Sequence, residues 1–243
     1  MIIDRLSIRT RPAGWPVMYM SWGALLFMHW PMAAELLQPL IAPQLSIDTF
    51  DGQAWVGVTP FTMWGIRPVC FPPLPGLSTS HELNVRTYVH LNGIPGVWFL
   101  SLEASNTLAV WGARMAYGLP YFQARMQLQE QPSIIHFTST RTHPGAPAAH
   151  FEASWSGGAP LPPAAPGSLD FFLTERYCLY ATRGSQLHRT RIFHGPWSLR
   201  RAEGLSFAST MLESHSLPTP WEPPLLHAQA APLQVGIWPL EKL

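Results

Sequence analysis

The sequence predicts a mainly β (α+β) fold, in which short antiparallel strands form a barrel-like arrangement with few short helices. Proline occurs 26 times and glycine 18 times in 243 residues, so long helices would be interrupted at many points. Segments rich in β-branched and aromatic residues recur between these turn residues, as is typical of strands. Many short strands with one or two helices favour an antiparallel barrel or sandwich.

One segment near the N-terminus predicts a helix. In "PMAAELLQPLI", Pro31 suits the first turn, the Ala, Glu and Leu residues after it favour helix, and Pro39 should end or kink it. Seven segments predict strands, namely residues 54–61, 81–90, 96–104, 133–142, 149–155, 171–181 and 189–199. Residues 156–168 are rich in Pro, Gly and Ala and are interpreted as a long loop. We expect a single domain over 1–243, with a Pro-rich C-terminal extension at 200–243.

Composition and charge exclude several classes of protein. Hydrophobic residues make up 47% of the chain and charged residues only 12%, so a large core is expected and an ionisable cluster within an apolar stretch is a candidate site. The net charge is +1 and there is no basic tract, which argues against nucleic acid as a partner. The chain can still be a homo-oligomer.

A stretch without Asp, Glu, Lys or Arg, residues 12–34, resembles a membrane anchor or signal peptide. Pro16, Gly23, His29 and Pro31 interrupt it, and its apolar run is shorter than the roughly 20 residues needed to span a bilayer. We therefore expect this stretch to form core, with no membrane partner and a cytoplasmic location.

No metal or cofactor is predicted. Cys70 and Cys178 lie far apart without Cys-x-x-Cys spacing, so we expect two buried, reduced thiols. The ten histidines show no His-Glu-x-x-His pattern, and His188 and His194 are too loosely spaced to specify a metal.

The segment "HELNVRTYVH" alternates between two faces. Glu82, Asn84, Arg86 and Tyr88 fall on one face of the strand, and Leu83, Val85, Thr87 and Val89 fall on the other. The polar face could point to water, contain a structural Glu82–Arg86 ion pair, or line a ligand cavity. In a cavity, Glu82 would be the acid or base, Asn84 and Tyr88 would bind substrate, and Arg86 would hold an anion.

Two further places carry polar residues in apolar surroundings. His29 follows an aromatic, Met-rich run, and it lies either at the cavity mouth as a substrate-binding residue or in the core with a ring nitrogen on a backbone carbonyl. In "LTERYCLY", Glu175 shares a face with Tyr177. We interpret Glu175 as a buried strut and expect Arg176 to lie outside or under a loop.

Several motifs resemble the YqjF-like family of uncharacterised bacterial proteins. They are "HWPMAAELLQPLIAPQLSIDTFDGQAWVGVTPF", "HELNVRTYVHLNGIPGVWFLSLEA", "ARMAYGLPY" and "FFLTERYCLY" followed by "HGPW". That family is distantly similar to acetoacetate decarboxylase, so the resemblance implies an antiparallel, barrel-like acetoacetate-decarboxylase-like fold around a central cavity. It also implies that Glu82 is the counterpart of a glutamate on a strand that lines that cavity.

The match to the decarboxylase signature breaks at three positions, which include Met115 in place of the glutamate and Tyr121 in place of the lysine. The signature reads Gly-Arg-Glu, then Gly-x-Pro-Lys. The matching stretches here are Ala113-Arg114-Met115 and Gly118-Leu119-Pro120-Tyr121. Tyr121 therefore replaces the lysine that forms the Schiff base, and a phenol cannot form an imine. The one lysine in the sequence is Lys242, so Schiff-base decarboxylation is not expected.

Three classes of function remain. The chain could be an enzyme without a Schiff base, of lyase or isomerase type, in which Glu82 moves a proton on a small keto or enol acid. Arg86, Arg114 and Tyr121 would complete its catalytic group. It could instead be a non-catalytic module that binds a small organic ligand in the same cavity. The third class is a scaffold that assembles through exposed aromatic residues, for example Trp221 and Trp238 in the Pro-rich tail.

Overall fold

A computed structural model of the protein describes residues 3–76, 78–107, 110, 114 and 117–243. Among these residues, fifteen strands form one sheet. The strands are β1 Met18–Gly23, β2 Leu26–Met32, β3 Ser46–Ile47, β4 Ala54–Pro68, β5 Thr79–Leu91, β6 Ile94–Ala104, β7 Tyr121–Glu130, β8 Ile135–Arg141, β9 His150–Pro160, β10 Cys178–Arg183, β11 Gln186–His194, β12 Leu199–Ser209, β13 Leu225–Gln229, β14 Leu233–Ile237 and β15 Glu241–Lys242. The helices with defined bounds are α1 (Ala34–Leu37), α2 (Leu169–Thr174) and three 3-10 turns at Ser7–Arg9, Gln38–Leu40 and Glu213–His215. For the described part of the chain, the predicted mainly β fold with few short helices is confirmed.

Strand pairing closes the sheet into two rings that share β4, β5 and β6. We call the first the nine-strand ring, which runs in pairing order β4-β5-β6-β7-β8-β9-β12-β13-β2 and back to β4. We call the second the seven-strand ring, which runs β4-β5-β6-β10-β11-β14-β1 and back to β4. The shared strands therefore have a ring interior on each side.

The central strands β5 and β6 form a hairpin with a two-residue turn. Asn92 and Gly93 both have positive φ, 50° and 83°. This is the backbone that an Asn-Gly turn adopts most easily, and it matches the twist of the strands it joins. The local sequence "LNGI" thus sets the register from Leu91 to Arg86, and a β-bulge between Arg86 and Val85 then shifts it so that Glu82 lies opposite Ala104 of β6.

Each ring has its own apolar core. Inside the nine-strand ring, Leu83 and Val85 of β5 pack with Phe137 of β8 and Phe151 of β9, all fully buried. On the other side of β4, Phe61 packs with residues of the seven-strand ring that include Met20 and Val235. Burial of these side chains on both faces of the shared strands is the main force that holds the two rings together.

Six of the seven predicted strands are present, as parts of β4, β5, β6, β8, β9 and β11. The strand predicted at 171–181 is wrong in its first half, because Leu169–Thr174 forms α2 and only Cys178–Arg183 forms a strand. The Ser168 side chain caps α2 by accepting a hydrogen bond from the Phe171 amide, 3.2 Å away. This N-cap overrides the strand preference of the aromatic residues behind it.

The predicted helix at 31–41 is only partly correct. Pro31 lies in β2 opposite Trp55, and the helix begins at Ala34. It ends after one turn and continues as the 3-10 turn Gln38–Leu40, which contains Pro39. The residues before Ala34 are held by sheet pairing, so pairing across β4 decides their conformation against local helix propensity.

The uncharged stretch at 12–34 contributes β1 and β2, and most of β2 is buried, as expected for core. No helix within the described residues combines the length and the apolar character needed to cross a membrane. The loop predicted at 156–168 is shorter than expected, because β9 continues to Pro160 and pairs there with Arg200 of β12. Residues 200–243, predicted as an extension, supply β13, β14, β15 and most of β12.

Two expectations about exposure were wrong. Cys70 is exposed, whereas Cys178 is buried as expected. Trp238 is buried, because its indole nitrogen donates to the Ala13 carbonyl at 3.1 Å and its ring lies beneath Arg11. Trp221 is 91% exposed and remains available for contacts.

Candidate functional site

Strand β5 is the wall between the two rings, and both of its faces are buried. Glu82, Asn84 and Tyr88 are each no more than 4% exposed, as are Leu83 and Val85 on the opposite face. Glu82 pairs with Phe61, whose side chain belongs to the core of the seven-strand ring. Paired residues on neighbouring strands share a face, so the polar face of β5 points into the seven-strand ring. The interpretation that this face points to water is therefore wrong.

Glu82 forms the first polar group with Tyr121 and Asn84. The Tyr121 hydroxyl, at the start of β7, donates to Oε2 of Glu82 at 2.8 Å. Burial raises the pKa of Glu82 from 4.5 to about 8, the hydrogen bonds from Tyr121 and Asn84 oppose this rise, and the charge of Glu103 adds to it. Burial also raises the pKa of Tyr121 well above its usual value, and the neighbouring Glu82 adds to that rise. At neutral pH, Glu82 is therefore a protonated acid held by a phenol.

Arg86 lies on the same face of β5 but does not pair with Glu82. Among the described residues, no carboxylate comes within ion-pair distance of Arg86, and its Nε atom is buried without a partner. Its guanidinium carbon lies 5.0 Å from the centroid of Phe27, and Nη2 is 3.5 Å from the Leu173 carbonyl. The structural ion pair considered for Glu82 and Arg86 is therefore absent.

His29 and Tyr88 form a second polar group beside Arg86. The Tyr88 hydroxyl donates to the carbonyl of Leu173 in α2 at 2.8 Å and lies 2.7 Å from Nε2 of His29. Burial lowers the pKa of His29 well below its usual value, and the charge of Arg86 adds to this effect. His29 is a core histidine, but its ring nitrogen contacts a phenol and not the backbone carbonyl that the alternative interpretation assumed. Gly57 leaves room for it, since a Cβ atom there would come within 2.9 Å of the imidazole.

The structure does not bring Arg114 to the Glu82 carboxyl group. Arg114 is exposed, and its guanidinium donates to the main-chain carbonyl of Tyr121 at 2.6 Å. It also lies 5.8 Å from the centroid of Phe122, the residue whose side chain points away from that of Tyr121. This geometry lets Arg114 hold the start of β7 in place from outside, without reaching the acid.

The second strand-like motif is structural. Tyr177 donates to the buried carboxylate of Glu175, which Arg9 approaches to 3.4 Å, as expected for a strut. Arg176 is not outside: it is 5% exposed and forms an ion pair with Asp48 at 2.8 Å. Of the two alternatives for Arg176, only the exposed position is wrong, and its partner Asp48 is 128 positions away in the sequence.

Polar residues that the sequence patterns did not single out complete the surroundings. Thr59 of β4 lies opposite Asn84, and both Thr59 Oγ1 and Asn84 Oδ1 are buried without a partner. Nε2 of His227, in β13, forms a hydrogen bond with Oδ1 of Asp170 in α2 at 3.0 Å. The ring centroid of His227 lies 6.4 Å from that of His29. Thr59 could have been found from its place in the predicted strand 54–61. His227 depends on a pairing between β13 and β2 that no local signal predicts.

Two clefts lie elsewhere. One of about 950 Å³ opens at an end of the nine-strand ring, between the turns that include Ala24, Ser133 and Ala231. The other, of about 220 Å³, is lined by Pro120, Tyr180 and His215, so it adjoins the main chain beside Tyr121. Neither cleft is lined by Glu82 or Arg86. The described residues include no group of three or more His, Cys, Asp or Glu side chains placed to hold a metal ion.

The fold is that of acetoacetate-decarboxylase-like proteins. An acetoacetate decarboxylase-like enzyme from Sphingomonas wittichii superposes with a TM-score of 0.61 at 12% identity, covering 94% of this chain and 93% of that one. Acetoacetate decarboxylase from Legionella pneumophila gives a TM-score of 0.60 at 13% identity, covering 96% and 88%. The enduracididine biosynthesis enzyme MppR, complexed with pyruvate, gives 0.59 at 11% identity, covering 92% and 88%.

The sequence comparisons place the chain in a family. Residues 19–232 match the family DUF2071, described as an uncharacterized conserved protein, and the chain belongs to this family. It is 39% identical over 231 residues to the uncharacterized protein YqjF of Bacillus subtilis, covering 95% of this chain and 94% of that protein. The predicted resemblance to YqjF-like and acetoacetate-decarboxylase-like proteins is confirmed.

Proposed function

We propose that this protein binds a small keto or enol acid inside the seven-strand ring and acts on it by acid–base chemistry, without a Schiff base. The observation that carries this proposal is the Glu82 carboxyl group, which is buried, bonded by Tyr121 and has a pKa raised to about 8. General acids and bases work best when their pKa lies near the working pH. Perturbed carboxyl groups of this kind concentrate at functional sites.

The proton transfer uses groups that are already in place. Protonated Glu82 gives its proton to an enolate carbon or oxygen of the ligand and becomes a carboxylate. The Tyr121 hydroxyl and the Asn84 side chain then stabilise that carboxylate, since both hydrogen bonds favour the charged form. Glu82 regains a proton from water, which completes a net protonation of the ligand, or takes it back from the ligand, which gives isotope exchange.

Arg86 supplies the charge that favours an acidic ligand. Because Glu82 keeps its proton at neutral pH, it does not neutralise the guanidinium on its own strand face. Four positions on an extended strand place the Cα atoms of Glu82 and Arg86 about 13 Å apart, a span that the two side chains and a ligand of a few carbon atoms can bridge. The unpartnered oxygens of Asn84 and Thr59 lie on this stretch of the wall and could bind the middle of such a ligand.

Among the residues that the structure describes, no lysine lies in this interior to supply the amine of an imine route. By resemblance, Tyr121 stands at the position of the Schiff-base lysine, and its hydroxyl is committed to Glu82. The one lysine, Lys242, lies in the exposed strand β15, which pairs with His188 and Arg189 of β11. We expect no increase in mass after incubation with pyruvate or acetoacetate and borohydride, and a reduced adduct would contradict this part of the proposal.

Binding and turnover of pyruvate and acetoacetate test the proposal directly. Pyruvate is a natural probe because MppR, which shares the fold, has been crystallised with it. We expect both acids to bind the wild type, and exchange or turnover to fall at least 100-fold in Glu82→Gln, which cannot transfer the proton. Glu152→Gln, which changes an exposed carboxylate, is the matched control and should leave both measurements unchanged.

The alternative function is a binding module without catalysis. If pyruvate or acetoacetate binds but neither isotope exchange nor turnover occurs in the wild type, the protein belongs to this second class. If neither acid binds at millimolar concentration, the proposed ligand class is wrong.

A further inference from the structure

Two buried histidines, His29 next to Arg86 and His227 next to His29, are held in the same tautomer by their hydrogen-bond partners. The Tyr88 hydroxyl has one hydrogen, which it donates to the Leu173 carbonyl, an atom that can only accept. The same hydroxyl must therefore accept from His29 at their 2.7 Å contact, so Nε2 of His29 carries the hydrogen. The Nδ1 atom of a neutral His29 is then a lone-pair acceptor.

His227 reaches the same state through a different partner. Its Nε2 atom lies 3.0 Å from Oδ1 of Asp170, and a carboxylate accepts only, so Nε2 carries the hydrogen. A carboxylate on one imidazole nitrogen fixes the tautomer and makes the other nitrogen more basic. His227 is 2% exposed, and its Nδ1 atom is buried without a partner, as is Nδ1 of His29.

The cluster combines acceptors with an unpaired cation. The two imidazole centroids are 6.4 Å apart, and the stacked ring of Phe27 lies 5.7 Å from His29 and 5.0 Å from the guanidinium carbon of Arg86. The positive charge of Arg86 disfavours a metal cation at these lone pairs. A neutral hydroxyl can donate to an imidazole, and a carboxylate can bind the guanidinium.

We propose that Arg86, His227 and His29 bind a carboxylic acid that carries a hydroxyl group on the carbon next to the carboxylate. Arg86 binds the carboxylate, and Nδ1 of His227 accepts the hydroxyl hydrogen, with His29 as a second acceptor beside it. This inference rests on the proposed function, because it gives the acid held by Arg86 a second functional group. A 2-hydroxy acid or the enol form of a 2-keto acid has this pair of groups.

Lactate and propionate test the inference, because they differ only in the hydroxyl group. We expect lactate to bind the wild type at least tenfold more tightly in calorimetry. The variant His227→Gln keeps an amide N–H for Asp170, but its amide oxygen does not occupy the position of Nδ1. We expect this variant to lose the preference while its propionate affinity stays the same. His188→Gln, whose ring contacts the Gln186 carbonyl at the surface of β11, is the matched control and should keep the preference.

Each result separates the two proposals. Equal binding of lactate and propionate to the wild type overturns the hydroxyl site but leaves acid binding in place. A preference that survives in His227→Gln overturns the role of His227. No binding of lactate or propionate overturns the hydroxyl site, and the binding of pyruvate and acetoacetate decides the proposed function separately. If His227→Gln fails to fold, nitrogen-15 spectra of the wild type decide: Nδ1 of His227 should show a lone-pair shift that lactate changes and propionate does not.

Discussion

The two faces of the wall that the rings share hold their buried glutamates in opposite ways. In the nine-strand ring, Glu103 of β6 forms an ion pair with Arg141 of β8, and both side chains are at most 2% exposed. In the seven-strand ring, Glu82 and Arg86 face the same interior and remain apart. Glu82 and Glu103 lie on adjacent strands and point to opposite sides of the same wall.

The difference between Glu103 and Glu82 separates a buried charge that stabilises the fold from a buried acid that costs stability. Burial raises the pKa of Glu103 as well, but the charge and the hydrogen bond of Arg141 oppose this rise and favour the ionised carboxylate. Removing either partner of such a pair leaves the other buried without compensation. An unpaired buried carboxyl instead keeps its proton and costs stability where the unfolded chain would ionise. Retaining such a group in a core is what a site for acid–base chemistry requires.

The largest expected effect is a contrast in sign between two glutamate substitutions. Glu103→Gln should lower the free energy of unfolding by about 3–5 kcal/mol, because Arg141 then stays buried without its counter-charge. Glu82→Gln should raise the free energy of unfolding at pH 7. In the wild type, the ionised Glu82 of the unfolded chain must take up a proton on folding, whereas the amide is uncharged in both states. Urea unfolding of both variants measures this, and a loss of several kcal/mol in Glu82→Gln would make Glu82 a structural group.

The pH dependence of stability sharpens the same comparison. The pKa of Glu82 is about 8 in the folded protein and near 4.5 when unfolded, so only the folded state holds this proton between those values. Within that window, the ratio of folded to unfolded wild type should fall by about tenfold per pH unit relative to Glu82→Gln. The two proteins should have similar stability near pH 4.5. Parallel unfolding curves from pH 5 to pH 8 would contradict the raised pKa.

The smallest expected effect separates Tyr121 from Arg114. Tyr121→Phe removes a hydrogen bond that favours the charged carboxylate, so the pKa of Glu82 should rise further, with a loss of about 1 kcal/mol in stability. Arg114→Gln removes only an exposed contact to the Tyr121 carbonyl and should change stability by less than about 0.5 kcal/mol. Carbon-13 titration of the glutamate carboxyl groups measures the pKa of Glu82 in both variants. An equal pKa change in the two variants would show that Arg114 acts on Glu82 as Tyr121 does.

Local sequence patterns predicted most of the polar face of β5 but few of the contacts around Arg86, His29 and His227. The alternation in residues 81–90 was enough to place Glu82, Asn84, Arg86 and Tyr88 together on one face, because strand geometry has a period of two. The aromatic residues of the α2 segment predict a strand. In the structure, the Ser168 N-cap begins a helix there instead. The partners of Arg176 and His29 lie 128 and 59 positions away, where no local pattern reaches.

The sequence by itself determined that a strand with an ionisable face crosses an apolar, strand-rich domain, since residue type and alternation are properties of neighbouring positions. Only the tertiary structure decided that the strand has an interior on each side, and that Glu82 bonds Tyr121 while Arg86 turns towards Phe27 and His29. The reason is physical. Ion pairs, tautomers and carboxyl pKa values depend on groups within a few ångströms in space, and ring closure brings those groups together from distant parts of the chain.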